Sequence, residues 1–445
     1  MIRVRFAPSP TGRLHVGNAF VALANKLFAL RHGGEFLLRL DDTDVERSSA
    51  DHAKAIEDDL AWLGLTWDAF ARQSERGTEY DAAVARLKAS GRLYPCFETP
   101  DELEAKRRDQ QRRHLPPIYD RAALSLPEAE RARLLAEGQR PHWRFLLNRE
   151  TARWDDLVRG PQAIDEASQS DPILVRADGS YLYTLPSVLD DIALGVTHVI
   201  RGNDHVTNTG TQIQLFVALG AAPPAFAHLP LLADAEGGPL SKRLGGLSLE
   251  ELRGAGVEAL ALAAYLARLG TGEPMEPVAS LPDLATGFDL ARFGRGSPRF
   301  DRRDLMRLNA RLLHGLPFEA VAQHLAALGL GDIDPALWEA VRGNVETLAG
   351  LSEWRQVCRG PLAPVIEDQA LVAEARRLLP PEPWTDATWA ALTGAVAAAT
   401  GRKGKALYHP LRLALTGRDH GPEMRNLLPL IGRERALARL GGQTA

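Results

Sequence analysis

The segment Ala7-Pro8-Ser9-Pro10-Thr11-Gly12-Arg13-Leu14-His15-Val16-Gly17-Asn18 gathers residue types that handle phosphate. Two prolines and a glycine bar helix and β-ladder over its first half. Gly12 and Gly17 allow a ligand to approach the backbone closely. If a helix begins just after the prolines, its free N–H groups and the positive end of its dipole face that ligand. His15 can donate to a phosphate oxygen without a metal. There is no GxGxxG fingerprint here, which sets NAD aside. Taken alone, the segment reads more readily as a proline-rich turn in which His15 caps a helix or lies at the surface. A second segment, Pro239-Leu240-Ser241-Lys242-Arg243, lies in a glycine-bounded loop. Lys242 and Arg243 could neutralise charge building on a departing pyrophosphate, though alone this is an ordinary surface turn.

The elements around the first segment place it. Ile2, Val4 and Phe6 alternate with Arg3 and Arg5, the period of a short strand. Phe20, Leu23, Leu27 and Leu30 recur at helical spacing until Gly33-Gly34 supplies a stop. A second strand over 36–40 ends in Asp41-Asp42-Thr43-Asp44. The product is a β-loop-α-β unit, the building block of a parallel, nucleotide-binding sheet. Further helices are expected over 53–63, 78–90, 102–113 and 211–219, with strands over 180–185 and 196–201. The stretch up to about 150 resembles an inserted module, and beyond about 248 the pattern is almost purely helical.

With 445 residues, 45% hydrophobic and 25% charged, the chain is neither disordered, collagen-like nor a coiled-coil rod. A net charge of -4 supplies no global basic field. Locally, however, 387–418 contains no Asp or Glu and carries Arg402, Lys403, Lys405, Arg412 and Arg418. Cys96 and Cys358 are too few for a disulfide scaffold or a four-cysteine zinc site. The start of the chain lacks a signal-peptide core, and no apolar run approaches the ~20 residues of a membrane span. A cytoplasmic, multidomain protein is expected.

In this order and on these elements, His15-Val16-Gly17-Asn18 and Pro239 to Arg243 resemble the two signatures of class I aminoacyl-tRNA synthetases. The fuller pattern is similar to the bacterial-type glutamyl-tRNA synthetase family. It includes Arg5 to Gly12, Leu38-Arg39-Leu40-Asp41-Asp42-Thr43-Asp44 and Gly195-Val196-Thr197-His198-Val199-Ile200-Arg201-Gly202. His409-Pro410-Leu411-Arg412-Leu413-Ala414-Leu415-Thr416-Gly417 resembles a signature of that family's anticodon-binding domain. The resemblance spans nearly the whole chain. It implies an α/β Rossmann-like catalytic domain (1–78 and 180–246) with an inserted acceptor-end-binding module (79–179). A helical stem-contact region (247–300) and an all-α anticodon-binding domain (301–445) would follow.

The same resemblance implies activation of L-glutamate by ATP, accompanied by Mg2+ as a substrate complex, and transfer of the glutamyl group to tRNA. His15 and Lys242 would stabilise the transition state, with Ser241 and Arg243 shaping their loop. Pro8, Ser9, Thr11, Gly12, His15, Gly17, Asn18, Asp204 and Lys242 would contact ATP. Arg5 and Arg201 would pair with the carboxylates of glutamate and Asp41 with its ammonium, while Ser9, Tyr183 and Ser187 complete the hydrogen bonds. Arg201 would favour glutamate over glutamine, because a neutral amide leaves a buried guanidinium unpaired. Asn344, Arg402, Lys403, Lys405, Arg412 and Thr416 would meet tRNA, and Arg107, Arg108, Arg112 and Arg113 could face its acceptor end. The family implies a monomer.

Five departures from the family pattern qualify these expectations. Asp41 stands where Glu is common, Ser187 where Asn is frequent, and Pro239 replaces the first Lys of the second signature. Some members carry a zinc-binding cysteine cluster in the insert; Cys96 alone cannot hold a structural zinc, and none is expected. Asn344 stands where an Arg reads the third anticodon base, and Asn reproduces a forked guanidinium only in part. Relaxed discrimination between tRNA(Glu) and tRNA(Gln) is one reading, and the other is that Asn344 is a solvated helix residue and another side chain discriminates; charging of tRNA(Gln) would require a tRNA-dependent amidotransferase as functional partner. Two alternatives stay open: a short relative that glutamylates a modified tRNA base, and a tRNA-binding paralogue without catalysis.

Overall fold

A computed structural model describes residues 1–44, 47–238, 240 and 247–445. They form two units: Met1–Leu252 with Ala263–Asp301, and Arg253–Leu262 with Arg302–Ala445.

Ten strands are found in the first unit: β1 (Arg3–Phe6), β2 (Glu35–Leu40), β3 (Ala69–Arg72), β4 (Leu93–Cys96), β5 (His142–Phe145), β6 (Thr151–Asp156), β7 (Gly160–Asp165), β8 (Ile173–Val175), β9 (His198–Gly202) and β10 (Ala225–Leu229). β1, β2 and β3 pair in parallel, with Arg5 opposite Leu37. β9, β10 and β6 also run parallel, and β7 closes that sheet antiparallel to β6. The Thr197 N–H donates to the Arg3 carbonyl at 2.9 Å and the Arg3 N–H to Thr197 Oγ1 at 2.9 Å, so β1 abuts the start of β9. From this seam one sheet grows each way, which makes the carboxyl ends of β1 and β9 a topological switch point.

The helix Val16–Arg31 crosses from β1 to β2 and buries Phe20, Leu23 and Leu27 as its spacing predicts, together with Ala19, whereas Leu30, the last of that series, is exposed in the final turn. No strand forms over 180–185. Tyr181 makes one bridge to Val175, and the helix Thr184–Ala193 follows. Leu185, Val188 and Leu189 bury one face of that helix, and helical spacing overrides the short β-prone run.

The inserted stretch is less separate than expected. β4, β5 and β8 do form their own antiparallel sheet. Yet the β6–β7 hairpin, inside 79–179, joins the parallel sheet beside β10, with Asp156 opposite Phe226. The expected 247–300 region is likewise divided, since Arg253–Leu262 belongs with the second unit.

The second unit is helical around Trp338, Leu351, Leu371, Leu392, Leu411 and Leu427. Arg439, fully buried, donates to the carbonyls of Val357 (2.7 Å), Leu415 (2.8 Å) and Ala445 (2.8 Å). Two of these carbonyls, Val357 and Leu415, lie in the last turns of helices, where the intrahelical donor is missing. Among the described residues no helix is long and apolar enough to cross a membrane.

Candidate active site

A cavity of about 610 Å³ opens at the switch point. It is lined by Arg5, Pro8, Ser9, Thr11, Gly12, His15, Gly17, Asn18, Asp41, Tyr183, Arg201 and Asp204, all expected from sequence. The proline-rich turn is held to the end of β2 by the Asp41 N–H donating to the Pro8 carbonyl at 3.0 Å.

His15 is the N-cap of the helix Val16–Arg31. Its Nδ1 accepts from the Gly17 N–H at 3.0 Å, and Asn18 Oδ1 accepts from the His15 N–H at 3.2 Å. An acceptor at Nδ1 fixes the neutral ring's proton on Nε2. Burial lowers the His15 pKa, which keeps the ring neutral. The capping role and the phosphate role are therefore compatible: Nδ1 caps the helix and Nε2–H remains to donate.

Four charged residues form a buried network at the floor. Arg39 donates to Asp41 at 2.7 Å and to Asp191 at 2.8 Å, while Arg5 Nε donates to Asp191 at 3.0 Å. Arg5 Nη2 also reaches Asp191, at 3.4 Å, and its Nη1 has no hydrogen bond among the described residues. Burial pushes the Asp41 carboxyl up, with Arg39 opposing. Burial likewise pushes Asp191 up, but Arg5 and Arg39 outweigh it and hold the carboxyl below its ordinary value. Neighbouring Asp190 takes hydrogen bonds from Gln73 (2.9 Å), Arg76 (2.7 Å) and Tyr80 (2.9 Å). Arg39, Asp190 and Asp191 were not singled out from sequence. Arg39 lies inside a quoted motif, but an Asp-Asp pair within a helix carries no local signal of its partners.

Arg201 differs from Arg5. It is 6% exposed, and among the described residues it has no carboxylate partner. Nε donates to His228 Nε2 at 3.1 Å and Nη2 to Thr209 Oγ1 at 2.8 Å, both neutral acceptors. Burial lowers its pKa. An anionic ligand would relieve that desolvation cost.

Several expectations need correction. Ser187 is 1% exposed and does not line the cavity; its hydroxyl accepts from Arg39 Nη2 at 3.4 Å. Thr416 is completely buried, with its hydroxyl donating to the Arg412 carbonyl at 2.8 Å, so it closes a helix end and cannot touch tRNA. Ser241, Lys242 and Arg243, with Pro239, lie outside the described residues. On the carboxyl side of that segment, the Val16 N–H donates to the Leu247 carbonyl (3.1 Å) and the Leu249 N–H to the Leu14 carbonyl (3.0 Å).

In the second unit, Asn344 is exposed at the end of a short helix. Lys403 and Lys405 are exposed, and Arg402 pairs with Asp368 at 2.7 Å. Arg412 is half-buried; Nη2 donates to the Pro422 carbonyl at 2.6 Å, and the buried Nη1 has no hydrogen-bond partner among the described residues. With Trp389, Tyr408, Glu423, Met424 and Arg425 it lines a groove of about 310 Å³. In the insert, the Tyr119 hydroxyl donates to Glu98 at 2.8 Å and lies 3.8 Å from the Cys96 sulfur, whose pKa burial pushes up to about 11. No cluster of three or more metal-ligating side chains occurs among the described residues.

The family profile described as "tRNA synthetases class I (E and Q), catalytic domain" matches residues 1–306, and "Anticodon binding domain" matches 367–443. The chain is 59% identical to "Glutamate--tRNA ligase 2" of Methylorubrum populi over 443 residues, covering 99% of each. It is 57% identical to "Glutamate--tRNA ligase 1" of Parvibaculum lavamentivorans, covering 99% of this chain and 98% of that one. Among solved structures, a glutamate tRNA ligase from Elizabethkingia meningosepticum in complex with its amino acid superposes with a TM-score of 0.88 at 26% identity, covering 99% of this chain and 98% of that one. A glutamate-tRNA synthetase from Elizabethkingia anophelis gives 0.87 at 26% identity, covering 99% of both.

Proposed function

The chain belongs to the class I tRNA synthetases for E and Q, and among them to the glutamate–tRNA ligases, and from that premise we propose how its cavity does the chemistry. The reaction has two steps. A glutamate α-carboxylate oxygen attacks the α-phosphorus of ATP, and pyrophosphate leaves. A hydroxyl of the terminal adenosine of tRNA(Glu) then attacks the acyl carbon, and AMP leaves.

The reading of the site rests on Arg201, a buried guanidinium facing the cavity with only neutral partners among the described residues. It takes the side-chain carboxylate of glutamate. Glutamine would leave that charge unpaired, which gives the site its preference. Arg5 shares its charge with Asp191 and adds one N–H from Nη1, so it orients a carboxylate more than it neutralises one. Asp41, held by Arg39, receives the ammonium, with Tyr183 and Ser9 at the rim. His15 Nε2–H and the helix N-terminus hold the triphosphate, beside Thr11, Gly12, Gly17 and Asn18, with Pro8 and Asp204 on the wall. Lys242 and Arg243 neutralise the departing pyrophosphate, and Mg2+ arrives with ATP. Catalysis is then positioning plus charge stabilisation.

tRNA lies against the exposed Arg402, Lys403 and Lys405, and a splayed base enters the groove lined by Trp389, Tyr408 and Arg412. The exposed Asn344 favours a second reading of the tRNA set, in which tRNA(Gln) is charged as well and passed to an amidotransferase. The chain works as a cytoplasmic monomer.

Pyrophosphate exchange with tRNA present, and charging of tRNA(Glu) and tRNA(Gln) in parallel, test this. Glutamate-dependent exchange and charging of both tRNAs are expected. Charging of tRNA(Glu) alone would retire the Asn344 reading, and absence of exchange would return the chain to a tRNA-binding role.

A further inference from the structure

Arg201, His228 and Asp156 stand side by side on β9, β10 and β6, three adjacent parallel strands. The ladder sets His228 directly opposite Arg201 and places Asp156 opposite Phe226, two residues before His228. Arg201 Nε carries a hydrogen and cannot accept, so the His228 Nε2 it meets at 3.1 Å must hold a lone pair. The ring proton therefore sits on Nδ1, which donates to Asp156 Oδ2 at 2.5 Å. Asp156 is itself fixed by the N–H groups of His228 (3.1 Å), Val158 (3.1 Å) and Arg159 (3.0 Å). The His228 and Asp156 side chains are completely buried, and neither lines the cavity.

This arrangement does something a direct Arg–carboxylate pair would not. A carboxylate bonded to Arg201 would neutralise it and remove the penalty against a neutral ligand. An imidazole placed between them anchors the guanidinium through one directional hydrogen bond and leaves its charge for the ligand. With Nε held by His228 and Nη2 by Thr209, the guanidinium plane is set, and the Tyr183 hydroxyl at the cavity wall is the further neutral group it meets. We propose that His228, kept in a single tautomer by Asp156, is a positioning residue that aims Arg201 at the side-chain carboxylate of glutamate. Through Arg201 it carries part of the preference for glutamate over glutamine. This inference rests on the reading of Arg201 given above.

Asp156→Asn is the sharpest variant because it preserves shape. An Asn amide donating to Nδ1 moves the ring proton to Nε2, where it faces the Arg201 Nε–H. His228→Phe removes the acceptor outright, and His228→Gln restores a carbonyl near the place of Nε2. The assay is tRNA-dependent pyrophosphate exchange on the full chain, with glutamate and glutamine as amino acids and the melting temperature measured alongside. Asp156→Asn and His228→Phe are expected to raise the glutamate KM about tenfold or more. They should lower the glutamate-to-glutamine preference to match and leave the ATP KM within about twofold, with His228→Gln recovering most of the loss. Should His228→Phe fail to fold, Asp156→Asn carries the test. An unchanged glutamate KM in Asp156→Asn, or glutamate and ATP KM rising together with falling melting temperature, would overturn the proposal. Arg201→Ala separates the two layers. If it leaves the glutamate KM unchanged, the Arg201 reading fails and takes this one with it. If it abolishes glutamate activation while Asp156→Asn does not weaken it, only the role of His228 and Asp156 falls.

Discussion

Asp191 serves two buried arginines at once, Arg5 at 3.0 Å and Arg39 at 2.8 Å, and Arg39 in turn orients Asp41. Losing one partner of such a set leaves the others buried and under-compensated, which commonly costs about 3–5 kcal/mol. Asp191→Asn is therefore expected to lower stability by about 3 kcal/mol in urea unfolding near neutral pH. The same variant should weaken glutamate more than ATP, because Arg39 loses the anchor that holds Asp41. A drop below 1 kcal/mol would show that water already relieves this network. The Asp41 side chain is one bond shorter than the Glu common at its position, and the structure supplies Arg39 as its fixed support. Arg201 follows the opposite logic: its charge is left uncompensated, as a group that awaits a ligand must be.

In the proposed reaction the helix Val16–Arg31 is both scaffold and reagent. Its cap is a histidine rather than the usual Ser, Thr, Asp or Asn, and the cap works because Gly17 lets the imidazole lie over the first turn. A Cβ at Gly17 would stand 2.9 Å from His15 Cε1 and 3.0 Å from Nδ1. In an ordinary helix Gly→Ala gains up to about 1 kcal/mol. Here Gly17→Ala should leave the unfolding free energy within about 1 kcal/mol of wild type. It should nonetheless slow pyrophosphate exchange more than about tenfold, since His15 is pushed off its line to the phosphate. Equal losses of stability and rate would mean that the glycine matters only to the cap. The β6–β7 hairpin makes a similar point: it lies inside the stretch read as an insert, yet the last residue of its first strand, Asp156, reaches His228 in the parallel sheet.

At the scale of the first unit, one buried carboxyl ties folding to pH. Glu166 is 1% exposed, and Oε2 accepts from Thr211 Oγ1 at 3.3 Å while Oε1 has no hydrogen-bond partner among the described residues. Burial pushes its pKa up to about 7 from an ordinary 4.5. Between those values the folded state holds a proton that the unfolded state releases, so the stability from this group is complete below about 4.5 and is lost as pH rises through about 7. Glu166→Gln mimics the protonated form. It should match wild type at pH 5 and exceed it at pH 8 by on the order of 2–3 kcal/mol, read from urea unfolding at both pH values. An equal difference at both would assign the effect to packing instead. For the second unit, a net charge of -4 does not bar the proposed contact with a polyanion, because residues 387–418 around Arg402 carry basic side chains and no Asp or Glu, and local field, not total charge, governs such a contact.

The local order of residues already determined the proline-rich turn, the helix that follows it, the acidic end of the second strand and the cavity residues from Arg5 to Asn18. Each is read within a few positions, where periodicity and backbone chemistry act. The division into a sheet-bearing part and a helical part was legible for the same reason. What only the tertiary structure decided is which distant residues share a neighbourhood. The pairing of Asp191 with Arg5 spans 186 positions and that of His228 with Asp156 spans 72, and both depend on strand order and register. The burial of Ser187 and Thr416 likewise follows from what packs over them. Alternation and helical period specify an element's faces; they carry no information about the partner each face will meet.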